Sequence, residues 1–466
     1  MKKLFRSIVF VSIAALLLTG AGCTKGPSPE VIKALQPVTL EWWGVFDDQD
    51  TVGPVISAYT AQHPNVTIDY KMFRSDEYEA ALLNAFAEDR GPDIFSMHNT
   101  WVNAYVPKLA PMPDTFTIPY TTTTGSIQKS SVTQLVTTAG MSINQFKNTF
   151  VDVAASDCIV NVPDETSPSG SADKIYALPL SADNLAVFYN KDLMNAAGIA
   201  EPPTDWTAFQ HDVTKLTKAD AQGNIIQSGV GLGTAGNVER YADILSMLMM
   251  QNGAHMTDSG GNPSFDKIPA DSEGRENPPG DDAVIFYTDF ANPATEVYAW
   301  NDKQPDNLAA FVSGQSAMFL GYSFNIPDIR ARAPKLNFGI AKLPQLNPDA
   351  PTNYANYWVQ GVSKKTKNAN WAWDFLRFAA SPDNNGKYLD AAKKPTALRG
   401  GIAKQLDDLD LSVFAEQMLT TKSWYHGQNE PAYEKAFADL INNVLNGAEI
   451  HQAINNAVNA VAETYK

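Results

Sequence analysis

VTLEWWGVFDDQDTVGPVISAYTAQHPNVTIDYKMFRSDEYEAALLNAFAEDRGPDIFSM, residues 38–97, decides how the fold is read. Val38 to Trp43 reads as a strand, and a helical pattern follows from Val52 to Gln62, ending before His63-Pro64. Val66 to Met72 reads as a second strand. From Glu77 to Asp89, Tyr78, Leu82 and Phe86 recur at i, i+4 and i+8, the spacing of one helix face. Gly91-Pro92 breaks that helix, and Asp93 to Met97 is a third short strand. Strands alternating with helices predict α/β layers with largely parallel strands. Ligands of such sheets bind outside the carboxyl ends of the strands.

Outward from this core the pattern continues. Residues 113–171 are less regular, with Thr121 to Thr124 and a Ser/Gly/Pro stretch at Thr166 to Ser171. They read as loops around one or two helices, with Phe146, Phe150 and Val153 packed. Tyr176 to Tyr189 reads as extended. Thr204 is placed to cap a helix bearing Trp206, Phe209, Val213 and Leu216. Further helices are expected around Tyr241 to Leu248, Asp306 to Val312 and Asn370 to Ala380, with a strand at Ala317 to Leu320. Two helices close the chain, the first opened by Pro431 and separated from the second by Gly447.

Toward the N-terminus, Lys2, Lys3 and Arg6 precede an apolar run, Ile8 to Leu18, and then Gly20, Ala21, Gly22 and Cys23. This is the layout of a secretory signal peptide, too short to span a bilayer, which needs about 20 apolar residues. The ending resembles a bacterial lipobox, although Gly20 stands where Leu is usual. That resemblance implies cleavage after residue 22 and lipidation of Cys23, and residues 23–37, with Gly26, Pro27, Pro29 and Pro37, suit a tether. The remaining chain exceeds a single compact core and is expected to form two lobes. With Cys23 lipidated, Cys158 has no disulfide partner and reads as a buried apolar residue.

The formal charge of −16 argues against nucleic acid, whose phosphates demand a basic surface. The six histidines are scattered, with no HExxH or CxxC, so no metal and no cofactor are expected. Asp47, Asp48 and Asp50 lack the turn glycine and terminal glutamate of a calcium loop. No GxSxG or SxxK marks a nucleophile. Gly231 to Gly236 matches GxGxxG, but no second strand follows to carry the acid of a dinucleotide site. The glycines there read as serving a close turn.

The positive signal is aromatic. Trp43, Phe46, Trp101, Trp300, Tyr322, Phe324, Tyr357, Trp358, Trp424 and Tyr425 lie off the helical stripes. Asp47, Asp48, Asn99, Asp183, Asn184, Asn356 and Arg399 lie near them in sequence. A sugar offers apolar C–H faces to rings and a hydroxyl rim to carboxylates, amides and arginine. Each ring taken singly reads as core filling, but the clustering with amides at strand ends favours a carbohydrate cleft.

Several phrases in order resemble the extracellular solute-binding proteins of ABC importers, of the maltose-binding-like class. They are Leu40-Glu41-Trp42-Trp43, Tyr59 through His63-Pro64-Asn65-Val66, and Gly91-Pro92-Asp93-Ile94. Tyr176-Ala177-Leu178-Pro179 through Tyr189-Asn190-Lys191-Asp192 follows, then Phe311 through Met318, Lys342-Leu343-Pro344 and Ala372 through Leu376. The resemblance implies a periplasmic-binding-protein-like fold, two α/β lobes joined by crossover strands and closing on ligand. Residues 38–184 and 343–390 form the first expected lobe, and 185–342 and 391–466 the second. It implies ligand contacts at Trp43, Asp47, Asp48, Asn99, Trp101, Asp183 and Asn184, and from the second lobe at Tyr241, Trp300, Tyr322 and Phe324. The return crossover adds Tyr357 and Trp358, and Trp424 is a further candidate. Tyr189, Asn190, Glu41 and Asp93 read as structural. The expected protein is a monomeric binding protein without catalysis. It is expected to take a carbohydrate, an oligosaccharide in particular, to meet the membrane through its lipid anchor, and to pass the sugar to permease subunits. A surface glycosidase or lyase with paired carboxylates stays open as an alternative. So does a receptor for a polyamine or a polyol phosphate.

Overall fold

The computed structural model describes residues 28–124, 130–272 and 274–466, so the expected signal peptide and Cys23 lie outside it. The first described element is a short helix, Pro29–Ala34, capped by the Ser28 hydroxyl and burying Val31. That part of the expected tether is therefore folded. Proline in the first turn and serine at the cap both favour a helix start.

The first lobe is built on a five-stranded sheet in the order Val66–Phe73, Val38–Val45, Ile94–His98, Trp358–Val362, Ala177–Pro179. The first three strands run parallel, as the alternation predicted. Trp358–Val362 runs against both of its neighbours, because it returns from the other lobe. Helix Gln49–Gln62 starts where the Asp48 carboxylate accepts the Thr51 N–H. Helix Ser75–Ala87 buries Tyr78 and Leu82. One apolar core joins Leu40, Trp42, Tyr59, Phe95 and Leu178 to Trp373 and Phe375 of helix Ala369–Ala379.

Residues 113–171 hold more order than expected. Thr115–Thr124 and Ser130–Ala139 pair as a long antiparallel hairpin. Threonine is β-branched and suits a half-buried strand. Here the Thr117–Thr137 and Thr121–Thr133 hydroxyls bond across the strands at 2.8 Å, while Phe116 and Ile118 are buried. A second hairpin pairs Ile159–Pro163 with Ser171–Ile175. Two helices, Ile143–Thr149 and Asp152–Cys158, lie between the hairpins, and Phe146, Phe150 and Val153 are buried as expected.

The second lobe centres on Ala186–Asn190, paired antiparallel with Met318–Gly321 and Phe338–Ala341. Val187, Met318 and Leu320 face one core, Ala186, Phe188 and Phe319 another. The larger core is enclosed by helices Trp206–Leu216, Tyr241–Gln251, Pro279–Asp289, Glu430–Leu445 and Ile450–Glu463. The Asn190 side chain accepts the Asp192 and Leu193 N–H groups and so fixes the strand-to-helix turn. Asp205, not Thr204, caps the helix that follows. In the GxGxxG stretch, a Cβ on Gly233 (φ +110°) would lie 2.7 Å from the Ala291 nitrogen. Close packing requires glycine there.

The lobe boundaries are displaced from those expected. Ala182 belongs to the first core and Leu185 to the second. On the return, Leu343 and Tyr354 still pack in the second core, and Ala355 and Tyr357 in the first. Ala397 and Leu398 also remain in the first. Apolar residues next to a crossing suit either lobe, and only the packing assigns them. Among the described residues no helix is long and apolar enough to cross a membrane.

Candidate functional site

The crossings meet at Asp183. Its Oδ2 accepts the Ser323 hydroxyl at 2.6 Å, and its Oδ1 accepts the N–H groups of Asn184 (2.9 Å) and Ser323 (3.3 Å). Burial pushes its carboxyl up to about 6. The Asp183 carbonyl accepts the Asn356 N–H at 3.2 Å. The Asn356 amide in turn donates to Asp243 Oδ2 at 3.1 Å, and the Tyr322 hydroxyl donates to the same oxygen at 2.8 Å. Burial raises the Asp243 carboxyl, opposed by the Arg240 guanidinium. A continuous polar line thus joins both lobes through the two crossings.

Rings flank this line. On the first lobe the Trp358 indole meets Trp101 (centroids 5.3 Å), Phe46 (5.7 Å) and His98 (5.9 Å), all edge-on. Phe46 is 61% exposed and sits at φ +70°, an uncommon backbone state for a bulky residue. On the second lobe Phe324, 47% exposed, stacks on Tyr322 at 5.4 Å and 16°. Exposed rings on rigid supports are what a sugar face or another flat solute meets.

Charged groups close the far side. Glu430, the first residue of its helix, reaches across to the first lobe. Its carboxylate accepts from the Thr100 hydroxyl (2.8 Å) and the Trp101 indole N–H, and pairs with His98 Nδ1 at 3.0 Å. Burial works against the Glu430 charge, but His98 and these donors hold its carboxyl down to about 2. For His98, burial lowers the pKa, and the Glu430 carboxylate outweighs it, so the net direction is upward. Arg240, at φ +59° before helix Tyr241–Gln251, lies 3.8 Å from Glu434.

The sequence-predicted residues divide. Trp101, Asp183, Phe324 and Trp358 gather here. Tyr322 gathers too, but it is fully buried, so it supports Phe324 and Asp243 instead of presenting a ring. Asn99 and Tyr357 lie just beneath, both donating to buried Asp157 (3.0 and 2.7 Å). The others stand elsewhere. Trp300 and Trp424 are buried in the second core, their indole N–H groups bonded to Asn237 and Ser246. Asn184 is buried between Phe414 O and Gln417. A buried side chain with its polar atoms satisfied has no surface left for a solute. Asp48 is spent on its helix cap, and its bonds from Thr51 hold its carboxyl low. Asp47 is held by Lys394 (2.6 Å) and the Tyr388 hydroxyl (2.8 Å). Trp43 packs on Phe73 under the Lys71 ammonium, and the Tyr241 hydroxyl donates to the Glu434 carbonyl.

Sequence reasoning missed His98, Arg240, Asp243 and Glu430, and left Phe46 and Asn356 outside the site. Arg240 and Asp243 open one helix, and Glu430 precedes Pro431 at the mouth of another. Both are helix starts, but what these side chains meet comes from distant parts of the chain, which local pattern does not reveal. Among the described residues no cluster of three or more His, Cys, Asp or Glu could hold a metal ion.

Comparison with known proteins bears on this arrangement. The profile of the family "Bacterial extracellular solute-binding protein" matches residues 44–386. The chain belongs to the bacterial extracellular solute-binding proteins. This family is one of transport receptors, so the protein is a solute receptor and not an enzyme. Over 312 residues it is 27% identical to the maltodextrin-binding protein MdxE of Bacillus subtilis, covering 63% of this chain and 67% of that one. It is 27% identical to the mannitol-binding protein of Pseudomonas aeruginosa, covering 58% and 57%. Two solved structures share the fold of this solute-binding protein across 92% of its length. One is the cyclic alpha-maltosyl-1,6-maltose binding protein of Arthrobacter globiformis (TM-score 0.69, 19% identity, 99% of that chain). The other is a cyclo/maltodextrin-binding protein complexed with maltotetraose (TM-score 0.67, 16% identity, 97% of that chain).

Proposed function

We propose that this receptor captures a carbohydrate, in particular an oligosaccharide, between its lobes and delivers it to the permease of an ABC importer. The observation that carries the reading is the set of rings that the two lobes bring to the crossings, exposed Phe46 with half-buried Trp358 and Trp101 on one and exposed Phe324 on the other. Rings suit sugar faces, and the partly exposed Arg240 guanidinium suits a hydroxyl rim. Relatives that bind maltodextrin and mannitol support the ligand class. Ligand touching both lobes favours the closed state by its differential affinity for it. Lipidation at Cys23, exposure on the outer face of the membrane and action as a monomer complete the proposal.

A thermal-shift screen with maltose, maltotetraose, mannobiose, mannitol and spermidine tests it. A solute present at 100 times its Kd stabilises the native state by about 2.7 kcal/mol. At least one saccharide should raise Tm, and Trp358→Ala should weaken it about tenfold, within the 0.5–1.5 kcal/mol of a stacked ring pair plus its lost burial. A shift with spermidine and none with any saccharide would overturn the ligand class.

A further inference from the structure

Glu430 is 329 and 330 residues from Trp101 and Thr100 in sequence, yet it joins them. It begins a second-lobe helix, and all three of its side-chain partners, His98, Thr100 and Trp101, end a first-lobe strand or follow it. Two of these partners belong to the ring cluster: Trp101 and His98 both meet Trp358. The other imidazole nitrogen, His98 Nε2, is buried without a hydrogen-bond partner among the described residues. His98 Nδ1 also lies 2.7 Å from the Thr100 hydroxyl, which itself bonds Glu430, so Glu430 is the one carboxylate paired with this imidazole among the described residues.

We propose that Glu430 is a positioning residue, a clasp that holds the lobes together and aims the Trp101 indole, and that closure of this receptor is therefore proton-linked through His98. The proposal rests on the cleft being the binding site. Glu430 touches no solute in this account; it acts through Trp101 and His98.

The charged surroundings of His98 support this direction. Thr100 and Trp101 face it from its own turn, Arg240 and Asp243 from helix Tyr241–Gln251, and Glu430 and Glu434 from helix Glu430–Leu445. Asn356 and Trp358 face it from the return crossing, and Glu79 of helix Ser75–Ala87 faces Glu430. Carboxylates outnumber the one guanidinium, so the closed form favours the imidazolium. In the open form the imidazole leaves Glu430 and returns toward its ordinary value of 6.5. Closure thus takes up a proton. It is favoured below that value and weakens as pH rises through the raised pKa of the closed form. At the acid end the clasp fails only as Glu430, held near 2, becomes protonated.

The test is an interlobe distance measured without any sugar. Leu83→Cys and Ile268→Cys place spin labels on exposed positions, one in each lobe. Cys158 is buried and stays unlabelled, and Cys23→Ser in every variant removes the other thiol. Pulsed electron resonance on the full chain at pH 5.5 and 8.0 should show the short-distance share falling at the higher pH. Glu430→Gln should reduce that share about tenfold at pH 5.5, the worth of a charged hydrogen bond, and should abolish the pH response. His98→Gln should abolish it too, and circular dichroism checks that both variants fold. Equal distributions for the parent and Glu430→Gln, or an unchanged pH response in either variant, would overturn the clasp. Because no sugar is present, failure of every saccharide to bind would refute the ligand reading and leave this result standing.

Discussion

Asp183→Asn is expected to make the protein more stable at pH 7.5 and no more stable near pH 4. The carboxyl is 8% exposed, and burial raises it from 3.8 to about 6. Between those values the folded state holds a proton that the unfolded state has lost, so stability falls as pH rises. The rise corresponds to about 3 kcal/mol, fully expressed above pH 6 and absent below the unfolded value. The amide can keep the local bonding. Its oxygen takes the place of Oδ1 and accepts the Asn184 and Ser323 N–H groups. Its NH2 donates to the Ser323 hydroxyl, which accepts as readily as it donates. Only the buried charge is then removed. Urea midpoints of both proteins, taken at intervals from pH 4 to 8 with equal m-values, measure the difference. The gap should open in favour of Asp183→Asn by about 3 kcal/mol over that range. Parallel profiles would show that Asp183 carries no buried-charge cost, and the reasoning from burial would fail.

Asp157→Ala should destabilise the fold by about 3–5 kcal/mol, since it strands four buried or half-buried donors, Asn99, Tyr357, Ser423 and His426, at once. A urea midpoint within experimental error of the parent would refute that. The Cys158 thiol, buried and pushed well up by burial and by Asp157, should resist Ellman's reagent in buffer and react fully in denaturing urea; rapid labelling of native protein would contradict its placement.

The fold was legible where its signals are local. Strands expected at Val38 to Trp43, Val66 to Met72 and Asp93 to Met97 appear as Val38–Val45, Val66–Phe73 and Ile94–His98. Alternation and breakers such as His63-Pro64 act within one or two turns of chain. The Thr-rich hairpin was missed because threonine serves loops and strands alike; the decision lies in Phe116 and Ile118 finding a core. The site was half legible for a related reason. Trp358 and Trp300 have the same composition signal, but one is half-buried among Phe46, Trp101 and His98 and the other fills a core. Burial depends on what arrives from elsewhere in the chain. Glu430 was invisible because its partners lie more than 300 residues away.

The way the two lobes touch fits capture better than permanent closure. Their large cores are separate, and the groups that meet between them are polar: Asp183 with Ser323, Asp243 with Asn356, Glu430 with His98 and Trp101. Parting the lobes therefore exposes hydrogen-bonding groups that water can satisfy, and not a continuous apolar seam. Such an interface is cheap to open, since an exchanged hydrogen bond is worth only about 0.5–1.5 kcal/mol net. The apolar driving force is instead held in reserve on Phe46 and Phe324, whose rings face solvent. Phe46 does so at a positive φ that costs on the order of 1–3 kcal/mol for a bulky residue. A solute covering those rings supplies the burial that the lobes alone lack, and this makes closure conditional on its arrival.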